Sequence, residues 1–201
     1  MPRSRRARLA QSLLLPAALA LALVAGAGCG SSGATAPARS ADLVNFRLGP
    51  QYSNWLLGPI ARLATPEEIR AYLALDGDFA ALDFIEAFWA RRDPDPAARG
   101  NPVREAFELR APEADRRYSE AGILGRRTPR GTILVLYGAP EKIEYQSAPE
   151  GGEPVEIWRY APDAPVGLDG RPPERLYWFR KQGELTRFYQ PRARPVRTVG
   201  R

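Results

Sequence analysis

The stretch GRRTPRGTILVLYGAPEKIE, residues 125–144, decides how the chain is read. A basic, turn-rich entry (Thr128-Pro129-Arg130-Gly131) feeds the continuous apolar run 132–137, and Gly138-Ala139-Pro140 breaks it. A short apolar run bounded by turn signals suits a strand covered on both faces, so residues 133–137 are expected to form one. The segments before the run read as helix and those after it as strand. The run is therefore the hinge of the architecture.

Upstream, Thr65-Pro66-Glu67-Glu68 combines an N-cap threonine, proline at the first helical position and a capping-box glutamate. Ile69, Tyr72 and Leu73 come next at helical spacing, and Asp76-Gly77 closes the segment. Asp78 is expected to cap a second helix, with Phe79, Leu82, Ile85, Phe88 and Trp89 along its buried side and Pro94 and Pro96 ending it. Asn101-Pro102 opens a third, with a stripe of Val103, Phe107, Ala111, Ala114 and Tyr118. Pro112 lacks the N–H that would bond to Glu108, and predicts a kink or break.

Downstream, 142–145 reads as a short strand and 146–155 as a turn around Gly151-Gly152. Residues 156–160 and 175–180 are further strands, and Gln182-Gly183 is a hairpin signal before 184–189. Consecutive strands joined by loops imply an antiparallel meander. The predicted class is α+β: two to three N-terminal helices followed by an antiparallel sheet of three to four strands.

The ends carry the basic charge. The net +6 includes four arginines in the first 28 residues and four in the last eleven, and neither end holds an acid. The body is left with 21 basic against 23 acidic residues, which is not the footprint of a nucleic-acid binder. With no histidine and one cysteine, His-based acid–base chemistry, Ser-His and Cys-His pairs and nearly every zinc or copper site are excluded. No metal and no cofactor is expected.

Residues 1–8 are basic, and LLLPAALALALV (13–24) is an apolar core inside the 7–15 residues or so of secretory signals. It runs through small residues into Cys29 and resembles a bacterial lipoprotein signal, which is cut before a cysteine that is then acylated. Gly26 stands where that signal usually has a larger aliphatic. The expected division is a signal peptide at 1–28, a lipidated Cys29 and tether at 29–50, a folded domain at 51–190 and a basic, disordered tail at 191–201. Within the tether, GSSGATAPARS (30–40) is too small and polar to form a core and reads as flexible.

From Tyr52 to about Tyr189 the chain resembles the GWxTD domain of bacterial envelope proteins, a family without an established activity. Trp55 before the Thr65 helix start, the block containing Phe88, Trp89, Arg92, Asp93 and Pro94, and Asn101 with Arg104-Glu105 carry the first half of the likeness. Thr128, Arg130 and Gly131, then Tyr137, Gly138 and Pro140, then Glu156, Trp158, Arg159 and Tyr160 carry the second. Where the family has Gly-Trp-x-Thr-Asp, this chain has Gly125-Arg126-Arg127-Thr128-Pro129, so the Trp and Asp are absent. If those two formed a ligand site, the resemblance implies that it is lost here.

Three sets of side chains are candidates for function. Glu86, Asp93 and Asp95 form an acidic cluster beside an aromatic pair; against an acid–base role stands a helix end at Asp93-Pro94, paired with Arg91, Arg92 or Arg104. Arg126, Arg127 and Arg130 are candidate contacts for an anion or a partner, against a solvated loop. Trp158, Tyr160, Tyr177, Trp178 and Phe179 line either a core or a ligand groove, with Trp178 opposite Tyr177 and Phe179. The function expected is that of a membrane-anchored envelope lipoprotein, outer-membrane leaning, with a non-catalytic interaction or scaffold domain and an unidentified envelope protein as partner. The alternatives are an envelope-polymer enzyme using acidic residues and a small-ligand or glycan binder with an aromatic sheet face.

Overall fold

Thr65, Asn101 and Thr128 start three helices by the same device, and those helices organise the fold. Residues 40–147 and 152–190 are described by a computed structural model; the signal peptide, Cys29, most of the expected tether, part of the 146–155 turn and the basic tail lie outside them. The elements are α1 (Pro50–Ser53), α2 (Ile60–Leu63), α3 (Pro66–Leu73), α4 (Asp78–Ala90), α5 (Pro102–Tyr118) and α6 (Pro129–Tyr137), then β1 (Lys142–Gln146), β2 (Val155–Arg159), β3 (Leu176–Gln182) and β4 (Leu185–Phe188). The strands pair antiparallel in the order β1-β2-β3-β4, the expected meander, and the class is α+β.

The hinge stretch is the main correction: 133–137 is helix, not strand. Thr128 Oγ1 accepts from Gly131 N–H at 3.3 Å, Pro129 takes the first helical position, and Gly138 ends the helix at φ 77°. Residues 131–136 are all buried, because α6 is enclosed by α5, the sheet and the N-terminal helices. A helix apolar on every side has no 3.6-residue alternation to betray it. Leu136 joins the core built by the N-terminal helices, while Ile133, Leu134 and Val135 pack with α5 against Trp158, Tyr160, Tyr177 and Phe179.

The turn before α6 requires its glycines. A Cβ on Gly125 would collide with the carbonyl of Ala114 in α5, and one on Gly131 with the carbonyl of Gly125. The backbones of α5, the 125–127 turn and α6 thus approach as closely as glycine allows.

The other starts agree with the sequence, with two exceptions. Thr65 and Glu68 complete the capping box at 3.2 and 3.0 Å, and Asn101 Oδ1 accepts from the N–H groups of Val103 and Arg104. Asp78 does not cap α4. Gly77 holds that position at φ 108°, and Asp78 Oδ1 accepts instead from Gly49 N–H at 2.7 Å. Nor does Pro112 break α5, which runs through it. Pro112 and Glu108 lie on the exposed side, where solvent replaces the missing N–H, while Ala111 and Ala114 are anchored in the core.

The buried side of α4 is also rotated from the expected stripe. Ala81, Phe88 and Trp89 are buried with Phe84 and Ile85 packed beside them, whereas Phe79 and Leu82 stand in solvent. The fold begins earlier than residue 51: Leu43 and Leu48 are core residues, and Asn45 donates to the carbonyls of Tyr72 and Leu75.

Candidate functional site

Strand register puts Tyr145, Glu156 and Phe179 in one row across β1, β2 and β3. Side chains alternate between faces, so Trp158 and Tyr177 share that face one step further along their strands, and Lys181 shares it one step the other way. Where Trp158, Tyr160 and Tyr177 lie, α5 and α6 cover the sheet and the aromatics are core. Trp178 points to the opposite face with Val155, Ile157 and Tyr189, as alternation required. Beyond the first turn of α6 the cover ends. A groove of about 410 Å³ opens there, walled by Ser119 and Glu120 and floored by Glu156, Phe179 and Thr186.

Arg130, in the first turn of α6, spans the groove's inner end. Its Nη1 donates to Glu156 Oε2 at 3.1 Å and its Nη2 to Glu120 Oε2 at 3.2 Å. Glu120 also accepts from Thr186 N–H (2.7 Å) and Thr186 O–H (2.8 Å), which ties the loop after α5 to the edge strand β4. Glu156 Oε1 takes the Trp158 indole N–H at 2.7 Å. Arg130 Nε and the hydroxyl of Tyr118, whose ring lies 5.1 Å from the Arg130 guanidinium carbon, are buried without a partner among the described residues. Burial pushes the Tyr118 hydroxyl above the usual phenol range.

Tyr145 is the groove's free aromatic: it stands 69% exposed on the aromatic face of edge strand β1. Glu120, Glu153, Glu156 and Glu184 face Arg130 and Lys181 around it, a surplus of two negative charges. Such a surface suits a partner that brings amines, guanidinium groups or hydroxyls to an aromatic ring.

The three arginines singled out by sequence are split. Arg130 lines the groove with its charge matched by two carboxylates. Arg126 grips Asp115 through Nε and Nη2 at 2.8 and 2.5 Å. Burial would raise the Asp115 carboxyl, but hydrogen bonds from the Arg126 side chain and backbone outweigh it and hold the group below its ordinary range. Arg127 is half-buried and reaches the Asn54 carbonyl at 3.4 Å; burial, then repulsion from Arg126, lowers its pKa. They do not converge on one anion.

The acidic cluster disperses as well. Glu86 is paired with Arg104 at 2.7 Å, while Asp93 and Asp95 accept backbone N–H groups of Asp95 and Ala97 at 3.1 and 3.2 Å. The arginines expected to pair with Asp93 go elsewhere. Arg91 and Arg92 both hold Glu68, and Arg104 holds Glu86 and Glu108.

Other positions on which the resemblance was read make contacts within the fold. Trp55 meets Tyr72 and Phe88 at 4.9 Å, and Trp89 meets Phe107 at 5.1 Å. Arg92 stacks 3.5 Å over the Phe88 ring and bonds to the carbonyls of Phe88 and Leu63, just before Asp93-Pro94. Tyr137 donates to Asp169 and Tyr160 to the Gly138 carbonyl, two residues before Pro140, at 2.8 and 2.7 Å. Arg159 meets Glu144 on the other face of the sheet at 3.0 Å.

Sequence reasoning missed Glu120, Tyr145, Lys181 and Thr186. The parity of Tyr145 with Glu156 was available once β1 and β2 were paired, but the other walls come from segments more than sixty residues apart. Among the described residues no three of His, Cys, Asp and Glu are grouped so as to hold a metal, and no helix is long and apolar enough to cross a membrane. Compared with protein-family models, curated proteins and solved structures, the chain matches none.

Proposed function

We propose that this chain is a lipid-anchored protein of the bacterial envelope whose folded part is a non-catalytic interaction module of the GWxTD kind. The observation that carries the reading is the groove: an open, acid-rich channel with one exposed aromatic on an edge strand. It is built to receive a protein segment bearing lysine or arginine beside polar groups. Glu86, Asp93 and Asp95, the carboxylates an envelope-polymer enzyme would use, each have separate structural partners, which favours the module over the enzyme. The likeness to GWxTD proteins and the lipoprotein-type N-terminus support the envelope setting and the anchor at Cys29.

A second reading, a small polar ligand or glycan, draws on the same Tyr145 ring above a volume within the usual range of ligand pockets. Photo-crosslinking from position 145 in the native envelope separates the two. A discrete protein adduct, absent from a probe at Val166 and abolished by Glu153→Lys with Glu184→Lys, is the expected result. Equal adducts from both positions, or no response to charge reversal, contradict the module reading.

A further inference from the structure

The two edges of the sheet are finished differently. At β4 the loop after α5 closes the edge: Thr186 N–H donates to Glu120 Oε1 at 2.7 Å and the Thr186 hydroxyl to Glu120 Oε2 at 2.8 Å, while α6 lies against the strand. β1 has no such cover. It pairs with β2 on one side, and among the described residues no backbone hydrogen bond reaches 142–146 from the other. Four of its five residues are exposed, and its register with β2 runs without a bulge. An edge in that state offers a row of N–H and C=O groups to another extended chain unless a proline, a bulge or charge guards it. The charges of β1 are turned away from the groove. Lys142 and Glu144 lie on the opposite face, where Glu144 holds Lys142 at 2.7 Å and Arg159 at 3.0 Å. Ile143 and Tyr145 alternate with them and occupy the groove face.

The charge beside this edge selects the occupant. Glu153 and Glu184 are exposed at the groove and enter no ion pair among the described residues. They add to Glu120 and Glu156, against Arg130 and Lys181. A second copy of β1 would bring only Ile143 and Tyr145 to this face, and no cation. A lysine or arginine on an incoming strand meets both the carboxylates and the face of the Tyr145 ring. Neighbouring strands lie about 4.8 Å apart, so a long basic side chain on the added strand crosses the ring into the groove.

We propose that the module takes its partner by strand addition: an extended segment carrying a lysine or arginine pairs with β1 as a fifth strand and lays that side chain over Tyr145. The inference rests on the interaction-module reading above and states how that site binds. Main-chain hydrogen bonds supply affinity, and the alternate side chains that face Ile143, Tyr145 and the groove supply selectivity. The five residues of β1 admit a partner stretch of similar length, roughly 17 Å.

The test uses the full chain in the native envelope, with a photo-reactive phenylalanine replacing Ile143, Tyr145 or, as a control, Val166. All three positions are exposed, and none belongs to the core. Adducts from 143 and 145 are expected on one partner stretch that contains a lysine or arginine, at sites about two residues apart, as strand pairing requires. Glu153→Lys with Glu184→Lys should lower both adducts at least fivefold, to the level of the control. A synthetic peptide of the crosslinked sequence, added to the purified full chain, should slow amide exchange within 142–146 at least tenfold. A charge-sensitive adduct from 145 with none from 143, or unchanged exchange in β1, overturns strand addition and leaves the module reading standing. No charge-sensitive adduct from either position overturns both. Adducts to residues 142–146 of a second copy, or to 191–201 of the chain itself, assign the edge to a different occupant and overturn the inference.

Discussion

Two arginines each hold carboxylates, one among the N-terminal helices and one at the mouth of the sheet, and the two sites behave differently. Arg92 closes on Glu68 while stacking over Phe88 and capping the carbonyls of Leu63 and Phe88. Each of its two terminal nitrogens donates to both Glu68 and a carbonyl, and Glu68 also serves the α3 capping box. Arg130 bridges Glu120 and Glu156, but its Nε has no partner among the described residues and one side of the triad is open groove. The first arrangement is a closed bolt between α2, α3 and α4. The second lines a groove, although its two carboxylates, 11% and 12% exposed, are no more accessible than Glu68 at 14%. One ionic device is thus closed on itself at the first site and left beside a groove at the second.

The largest effect is expected from Arg92→Met, which leaves Glu68 poorly compensated beneath α4. Breaking a largely buried pair costs about 3 kcal/mol or more, read as a lower urea midpoint at unchanged slope. A loss below about 1 kcal/mol would mean that Arg92 is no bolt.

Acid tests the same site. Burial alone would raise the Glu68 carboxyl, but hydrogen bonds from Arg92, from Thr65 N–H and from Arg91 outweigh it and pull it down to about 2. Because the folded-state value lies below the unfolded one, the unfolded chain binds the extra proton in that window. The stabilisation is complete above about pH 4.5 and disappears as pH falls towards 2, a change of roughly 2–3 kcal/mol. Urea midpoints between about pH 6 and 2 should fall less steeply in Glu68→Gln than in the wild type; parallel curves would reject the assignment.

Arg130→Met should cost less, about 1–2 kcal/mol, because Glu120 keeps Thr186, Glu156 keeps the Trp158 indole, and both carboxylates border open groove. A loss equal to that of Arg92→Met would erase the distinction between the two sites. The smallest stability effect belongs to Tyr145→Ala, within about 0.5 kcal/mol for a side chain with no core contact. The same change should remove charge-sensitive crosslinking from a neighbouring groove probe. Unaltered crosslinking would show that the ring takes no part in binding.

The sheet was legible because its evidence is local: β-branched and aromatic runs, the Gly183 turn and Pro- and Gly-rich loops between consecutive strands imply a meander. The cap-plus-proline starts at Thr65 and Asn101 were equally plain. Thr128-Pro129 carried the same signal, yet the apolar run behind it suggested a strand. A fully enclosed helix and a buried strand share one hydropathy pattern, and the start signal alone distinguished them. The rotation of α4 that exposes Phe79 was hidden for a related reason. Its first turn is set by the Gly49–Asp78 contact between distant segments, not by its own periodicity. The groove was hidden most completely. Tyr145, Glu120 and Thr186 mean little apart, and only the end of helical cover over the sheet makes them neighbours.

The proposed anchor at Cys29 would set the groove at a membrane, so its chemistry is the most direct test. Intact mass and membrane partitioning of the wild type should be compared with Cys29→Ser, both expressed in a bacterial envelope. The expected wild type begins at Cys29, carries acyl mass and stays with the membrane, while the serine variant loses both properties. A soluble, unacylated wild type cleaved elsewhere would contradict the account of a membrane-tethered module.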